Sequence, residues 1–313
     1  MNELRPEDWA TTELTARGIS AYEVTWPHRY PWSQVAKITT SAGDMWLKLN
    51  LGDTAYEAGL LRLLGTLVPA HVVVPLAVDA ERGWSLSPDG GVTLRAAEDG
   101  KFRLEVWEQM LAEYAYLQRS LTPHVDDLLA VGTPDLRPQR LPELFDLLLG
   151  DPFVRANVTD QLDALAAVRP AVVRAAEELA ASGIAPTLQH DDLHDANVLV
   201  REPKHAFFDW GDASVAYPFG TLLVTLRVAA RKAEVEEGDP LLARLRDAYL
   251  EPWTDTHARA DLVRWADAAM TVTKISRAMS YRRALRDADE KLLTEYGEGI
   301  WGWFGELLEP NPV

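Results

Sequence analysis

The sequence contains no cysteine, which removes disulfides, thiolate nucleophiles and thiolate metal sites from consideration. No apolar run is long enough to cross a bilayer as a helix. The acidic, polar start MNELRPEDWA has neither the basic flank nor the apolar stretch of a secretory signal, so a cytoplasmic location is expected. Basic residues are scarce. Against 48 Asp and Glu stand 31 Lys and Arg, a net charge of −17, which argues against nucleic acid and anionic membrane as partners. Steering by such a charge would favour a cationic small molecule, although solubility alone accounts for much acidity of this kind. No internal repeat, low-complexity tract or flexible linker is evident, and nothing points to an obligate protein partner.

What is present is an ordinary globular composition, 47% hydrophobic and 25% charged over 313 residues, enough for one large or two modest domains. The chain is organised around TLQHDDLHDANVLVREPKHAFFDWGD, residues 187–212. A short extended run, Thr187 to Gln189, leads into a polar turn that carries His190, Asp191, Asp192, His194, Asp195 and Asn197. Two apolar runs, Val198-Leu199-Val200 and Ala206-Phe207-Phe208, are separated by Glu202-Pro203 and read as a hairpin. It closes on Asp209-Trp210-Gly211-Asp212. Asp192, Asn197 and Asp209 offer hard oxygen ligands without a thiol, which suits Mg²⁺ better than zinc. A carboxylate left free of metal could take a proton from an alcohol, and together these features outline a phosphoryl-transfer site.

Upstream, Trp32–Thr40 reads as a strand, Ser41–Asp44 as a turn and Met45–Asn50 as the returning strand. Alternation puts Trp46 and Lys48 on one face and Met45, Leu47 and Leu49 on the other. An aromatic ring and an ammonium sharing a face is what a nucleotide cleft needs, although a solvated sheet face accounts equally well for the lysine. A helix is expected over 55–64. Its Glu57 has two competing readings: the acid partner of Lys48, or the far end of a Thr54-x-x-Glu57 capping box. Short strands are expected at 72–74, 76–78 and 83–86. Ser87-Pro88-Asp89-Gly90-Gly91 is the expected hinge, with Ser87 and Asp89 beside the base.

The remainder reads as helical: 5–18 near the start, then 102–121, 171–181, 221–232, 241–250, 258–286 and 296–308, with a Pro-rich loop at 133–142. Leu104, Trp107, Leu111, Tyr114 and Leu117 form an amphipathic stripe that is expected to be core.

His190-x-Asp192-Leu193-His194-x-x-Asn197 followed by Asp209-Trp210 resembles the catalytic and metal-binding segments of the aminoglycoside phosphotransferase and choline kinase group, small-molecule relatives of the protein kinases. The resemblance implies an α+β, two-lobed protein-kinase-like fold. Residues 1–95 would be a nucleotide-binding lobe built on an antiparallel sheet, and 96–313 a mostly helical lobe with the catalytic loop and acceptor site. It implies ATP, with GTP as the alternative, and Mg²⁺. Asp192 would be the base, Asn197 and Asp209 the metal ligands, and His190 the brace of the catalytic loop. Lys48 would meet the α/β-phosphates, Glu57 would hold Lys48, and Trp46 would stack on the purine. The acceptor would be a small molecule with a hydroxyl, such as an aminoglycoside-like antibiotic, an amino sugar or a related metabolite. The match departs at one place. No GxGxxG precedes Lys48; the loop there is His28-Arg29-Tyr30-Pro31-Trp32-Ser33, leaving Ser33 or backbone amides to cover the phosphates. No Ala-Pro-Glu motif follows Asp209, which counts against a protein kinase. The other readings are a catalytically silent nucleotide-binding module and a metal-dependent phosphohydrolase. Asp191, Asp195 and Asp212 are expected to be solvated or to cap backbone amides, with Asp212 as an alternative ligand for metal or a cationic acceptor.

Overall fold

A computed structural model describes residues 4–313. Helix α1 (Pro6–Thr15) starts with proline in its first turn, where the missing N–H costs nothing. Strands β1 (Ala21–Arg29), β2 (Ser33–Thr40) and β3 (Gly43–Asn50) follow as an antiparallel meander. Helix α2 (Tyr56–Leu67) then crosses to β4 (Ala77–Asp79) and β5 (Trp84–Pro88), giving a five-stranded sheet in the order β1-β2-β3-β5-β4. The period-two pattern sorts the faces. Met45, Leu47 and Leu49 pack with Ala36, Ile38 and Leu86, and with Trp9 and Leu14 of α1. Trp46 and Lys48 face the opposite way.

The rest is mostly helical: α3 (Leu94–Glu98), α4 (Leu104–Leu121), α5 (Val125–Ala130), α6 (Leu141–Gly150), α7 (Pro152–Asn157) and α8 (Leu162–Ala181). Two small sheets interrupt the helices. Strand β6 (Thr187–Gln189) pairs with β9 (Ser214–Ala216), and between them β7 (Val198–Arg201) and β8 (Lys204–Phe207) form the expected hairpin, with Val198 opposite Phe207. Helices α9 (Leu222–Ala233), α10 (Pro240–Leu250), α11 (Arg259–Ala284), α12 (Glu290–Tyr296) and α13 (Glu298–Gly305) complete the chain. The stripe of α4 is core as expected: Trp107, Leu111 and Tyr114 are fully buried. α11 is the central post, with buried residues on nearly every side from Ala269 to Ser280, the pattern of a helix surrounded by protein.

Several elements differ from the sequence expectation. β1 was not expected: the sequence places a loop at 28–33 and no strand before it, whereas the strand runs to Arg29 and accommodates Pro27, which cannot donate to a ladder, in a register shift between Thr25 and His28. Val72–Val74 is no strand: Val72 makes only an isolated bridge to Phe207. α8 begins nine residues before the expected start and carries Pro170 inside it, where proline normally marks a boundary. Leu141-Pro142 opens α6 rather than closing a loop, since proline fits the first helical turn.

Candidate active site

Between the polar face of the five-stranded sheet and the β7–β8 hairpin lies a cleft of about 790 Å³. The alternation that sends Leu47 and Leu49 into the core sends Trp46 and Lys48 into this cleft. Lys48 Nζ lies 2.7 Å from Glu57 Oε2 and 2.5 Å from Asp209 Oδ1, so it joins β3, α2 and the end of the hairpin. Burial works against the ammonium, but the charges of Asp209 and Glu57 outweigh it and hold its pKa above the ordinary lysine value. The Lys48 charge in turn holds Asp209 below the usual carboxylate range.

Of the two readings of Glu57, the ion pair is the one present. Its carboxylate is 1% exposed and also accepts from Asn50 Nδ2 (2.6 Å) and the Trp210 amide (3.0 Å). α2 begins without a side-chain cap, and the Thr54 hydroxyl donates instead to the carbonyls of Trp32 and Leu51. A buried carboxylate goes where a full charge partner and aligned donors are available. Gly211 makes this approach feasible: a Cβ there would stand 3.1 Å from Glu57 Oε2.

The polar turn after β6 is held from below. His190 is fully buried; its Nε2 donates to the Phe208 carbonyl (2.9 Å), its amide donates to the Tyr114 hydroxyl (2.9 Å), and its ring lies 4.7 Å from that of Trp210. Burial lowers its pKa, so the ring is neutral with the proton on Nε2. Asp191 and Asp209 both take left-handed backbone, φ 63° and 64°, a conformation aspartate tolerates better than most residues and one that gathers at functional turns. Asp192 follows, with Oδ1 3.1 Å from Arg277 Nη2 and Oδ2 3.5 Å from His194 Nε2. Desolvation opposes its charge, but Arg277 and His194 prevail and keep its pKa well below the usual range. Asn197 Nδ2 donates to the Asp192 carbonyl at 3.0 Å.

That bond uses the Asn197 amide nitrogen rather than its Oδ1, and Lys48 engages Asp209 through Oδ1. Asp209 lines the cleft, and Asn197, whose main-chain carbonyl accepts from the amide of Phe208, the residue before Asp209, adds a second hard oxygen donor from the turn before the facing strand, a donor set that fits Mg²⁺. Among the described residues no cluster of three or more His, Asp or Glu forms a closed protein cage.

Ser33, Ser87 and Asp89 also line the cleft. Ser87 stands opposite Trp46 in the β3–β5 ladder, and Asp89 accepts from the Trp46 indole at 3.2 Å and the Gly91 amide at 2.7 Å. Gly90 is packed so closely that a Cβ would collide with Leu199 and Val73. Where a glycine-rich loop was absent from the sequence, the β1–β2 turn carries a stack of rings. His28, Tyr30 and Trp32 are parallel neighbours with centroids 6.4 and 5.3 Å apart, and Tyr296 of α12 meets Tyr30 and Trp32 edge-on.

The three remaining acids correct the sequence expectation of solvated or amide-capping side chains. Asp191 is buried, accepts from Ser214 Oγ (2.6 Å) and the Gln189 amide, and is pushed up to about 6 by burial. Asp195 is buried between Arg95 and Lys232, and Asp212 pairs with Arg277 Nη1 at 2.9 Å. Arg277 and Lys232 are functional-site neighbours that sequence reasoning missed. The available signal was a lone arginine inside the small and apolar run Ile275–Met279, since a charge on a buried helix face demands a partner.

The model of the phosphotransferase enzyme family matches residues 27–263, spanning both the sheet and the catalytic turn. No curated protein matches the sequence significantly. Among solved structures, the GDP and kanamycin complex of APH(2")-IIia is similar with a TM-score of 0.63 at 15% identity, over 94% of this chain and 98% of that one. A Plasmodium vivax ethanolamine kinase gives 0.58 at 12% identity, over 90% and 82% of the two chains. A choline/ethanolamine kinase family protein from Mesorhizobium loti gives 0.54 at 15%, over 97% and 95%. At these identities the likeness establishes the two-lobed, kinase-like α+β fold.

Proposed function

The chain belongs to the phosphotransferase enzyme family, and from that premise we propose that it transfers the γ-phosphoryl group of ATP, with GTP as the alternative, to a hydroxyl of a small molecule. The observation that carries this reading is the junction at Lys48. An ammonium on the sheet meets the carboxylates of Glu57 and Asp209 from two other elements, at the mouth of a slot large enough for a nucleotide.

Each residue then has a task. Trp46 offers its face to the purine, steadied by Asp89, while Ser87–Gly91 acts as the hinge between a nucleotide-binding part, 1–95, and a catalytic part, 96–313. Lys48 neutralises α/β-phosphate oxygens, and Glu57 keeps the ammonium in place. Ser33 and the ring-bearing β1–β2 turn cover the phosphates. Asn197 and Asp209 would hold Mg²⁺, which supplies charge neutralisation across the phosphates. Asp192 orients the acceptor hydroxyl and takes its proton late. Phosphoryl transfer passes through a loose transition state, so positioning matters more than base strength, and a weakly basic carboxylate suffices. His190 fixes the turn so that Asp192 points into the cleft.

The reading is tested by incubating the protein with γ-labelled ATP, Mg²⁺ and a panel of alcohols that includes sugars, cyclitols, amines and antibiotics. Label on an organic product with stoichiometric ADP supports it. Label found only in inorganic phosphate identifies a phosphohydrolase, and nucleotide-dependent thermal stabilisation without turnover identifies a silent binding module.

A further inference from the structure

The turn that roofs the cleft, residues 30–33, is closed on itself. Tyr30 and Ser33 exchange backbone hydrogen bonds, amide to carbonyl, at 2.8 and 3.3 Å, and Pro31 has no N–H to give. Only the Trp32 amide is left uncommitted among the described residues, so the turn cannot surround an anion with backbone donors. It presents rings instead: His28, Tyr30 and Trp32 all line the cleft. Its backbone is fixed, because the Trp32 carbonyl accepts from the Leu51 amide and the Thr54 hydroxyl, both at 2.9 Å. The rings are therefore a stationary seat, and the movable part is what sits on them.

That part is α12. None of its seven residues is buried, and it packs on the core through the half-buried Leu293 and Tyr296. Tyr296, its last residue, meets Tyr30 and Trp32 edge-on, with centroids 6.3 and 5.1 Å away and planes at 87° and 89°. The ion pair at its entry, Arg286 with Asp53, is exposed. Edge-on rings and exposed ion pairs are individually weak contacts, the kind that close and release without disturbing a core. α12 also follows on α11, whose Arg277 holds the proposed base and whose Tyr281 and Ala284 line the cleft. Beyond α12, Gly299 is packed so tightly under Tyr281 that a Cβ would collide with the ring. A ligand resting on Tyr281 is thereby in mechanical contact with the segment that carries Tyr296.

We propose that α12 is a latch: with Tyr296 seated on Tyr30 and Trp32 the cleft is closed on the side of Asp192, and release of Tyr296 opens it for exchange of nucleotide and acceptor. The inference rests on the phosphotransferase reading of the same cleft. Closure keeps bulk water from the γ-phosphoryl group until an alcohol is in place. With the latch open, water takes that group in place of the alcohol, and the products are ADP and inorganic phosphate.

The test needs no acceptor. Dissociation of fluorescent N-methylanthraniloyl-ADP in the presence of Mg²⁺ is followed by stopped flow, and release of inorganic phosphate from ATP is measured alongside. Tyr296→Ala is expected to raise both by about tenfold, the effect of losing two aromatic pairs, whereas Tyr296→Phe, which keeps the ring edge, should stay within about twofold of wild type. Trp32→Ala removes the seat, so adding Tyr296→Ala to it should change little further. Arg286→Ala, a surface change, should raise both rates by a smaller factor and carries the test should Tyr296→Ala fold poorly. Wild-type rates in Tyr296→Ala, or in Arg286→Ala where that variant carries the test, overturn the inference while leaving the phosphotransferase intact. So do effects of Trp32→Ala and Tyr296→Ala that simply multiply. A wild-type protein that binds no nucleotide, by contrast, removes the phosphotransferase reading and this inference with it.

Discussion

In the Lys48–Glu57 pair, burial ties stability to the chemistry proposed for the cleft. The Glu57 carboxylate is buried, so its ionised state depends on the ammonium 2.7 Å away and on donors from Asn50 and Trp210. Removing one member of a buried pair typically costs about 3–5 kcal/mol, because the other charge is left uncompensated. Lys48→Met is therefore expected to unfold at markedly lower denaturant. Glu57→Gln, which removes the buried charge itself, should lose less stability although it also lowers turnover. Equal stability of Lys48→Met and wild type would mean that Glu57 is not held as an anion. Asp191 gives a pH signature of opposite origin. Its folded pKa of about 6 lies above the ordinary aspartate value because burial penalises the anion. Between those values the folded state binds more protons than the unfolded state, so this group's contribution falls as pH rises through that window. Asp191→Asn should flatten the decline in stability between pH 4 and 6 in urea titrations; an unchanged slope would show that Asp191 ionises as freely in the folded state as in the unfolded one.

At the scale of elements, the segments that carry the cleft were legible wherever local pattern and chemistry agreed. β2, β3, α2 and the β7–β8 hairpin were each visible as alternation or helical spacing bounded by turn residues; Trp46, Lys48, Asp192 and Asp209 all line one cleft, and Asn197 sits behind Asp192, donating to its carbonyl. What was not legible depended on distance along the chain. Arg277 lies 65 residues from Asp212, and nothing local announces the pair. Lys232 meets Glu98 and Asp195 from α9 by the same kind of remote packing. β1 is missed and α8 begins late on sequence pattern alone, and in the structure each carries a proline, at a register shift in β1 and inside the helix in α8. The choice between cap and ion pair at Glu57 was open because both are local possibilities; tertiary burial decides it. The short 3₁₀ turn Trp210–Asp212 brings its own prediction. Because a Cβ at Gly211 would crowd Glu57 Oε2 at 3.1 Å, Gly211→Ala should destabilise by about 1–3 kcal/mol and reduce turnover by displacing the Lys48 pair. A variant that matches wild type in both calorimetry and rate would show that Glu57 has room to yield.

Across the whole molecule, the sheet-bearing part joins the rest through a shared core beneath α2 and through specific polar and aromatic contacts. Lys48 reaches Asp209; the Tyr56 hydroxyl donates to the Gly211 carbonyl at 2.7 Å; Arg286, just beyond α11, meets Asp53 at 2.9 Å; and Tyr30 and Trp32 pack on Tyr296. The cleft is framed by these contacts, with Asp192, the proposed base, on its helical side and Lys48, the proposed phosphate ligand, on its sheet side. In the proposed reading this arrangement separates holding the nucleotide from using it. The Asp192→Asn variant tests that separation most directly, with nucleotide affinity measured by calorimetry and turnover by ADP release on the same preparation. The account expects affinity for the Mg²⁺-nucleotide within a few-fold of wild type and turnover reduced by at least about a hundredfold. Turnover that persists in this variant, or nucleotide affinity that vanishes together with it, would contradict the assignment of Asp192 as the group that receives the acceptor's proton.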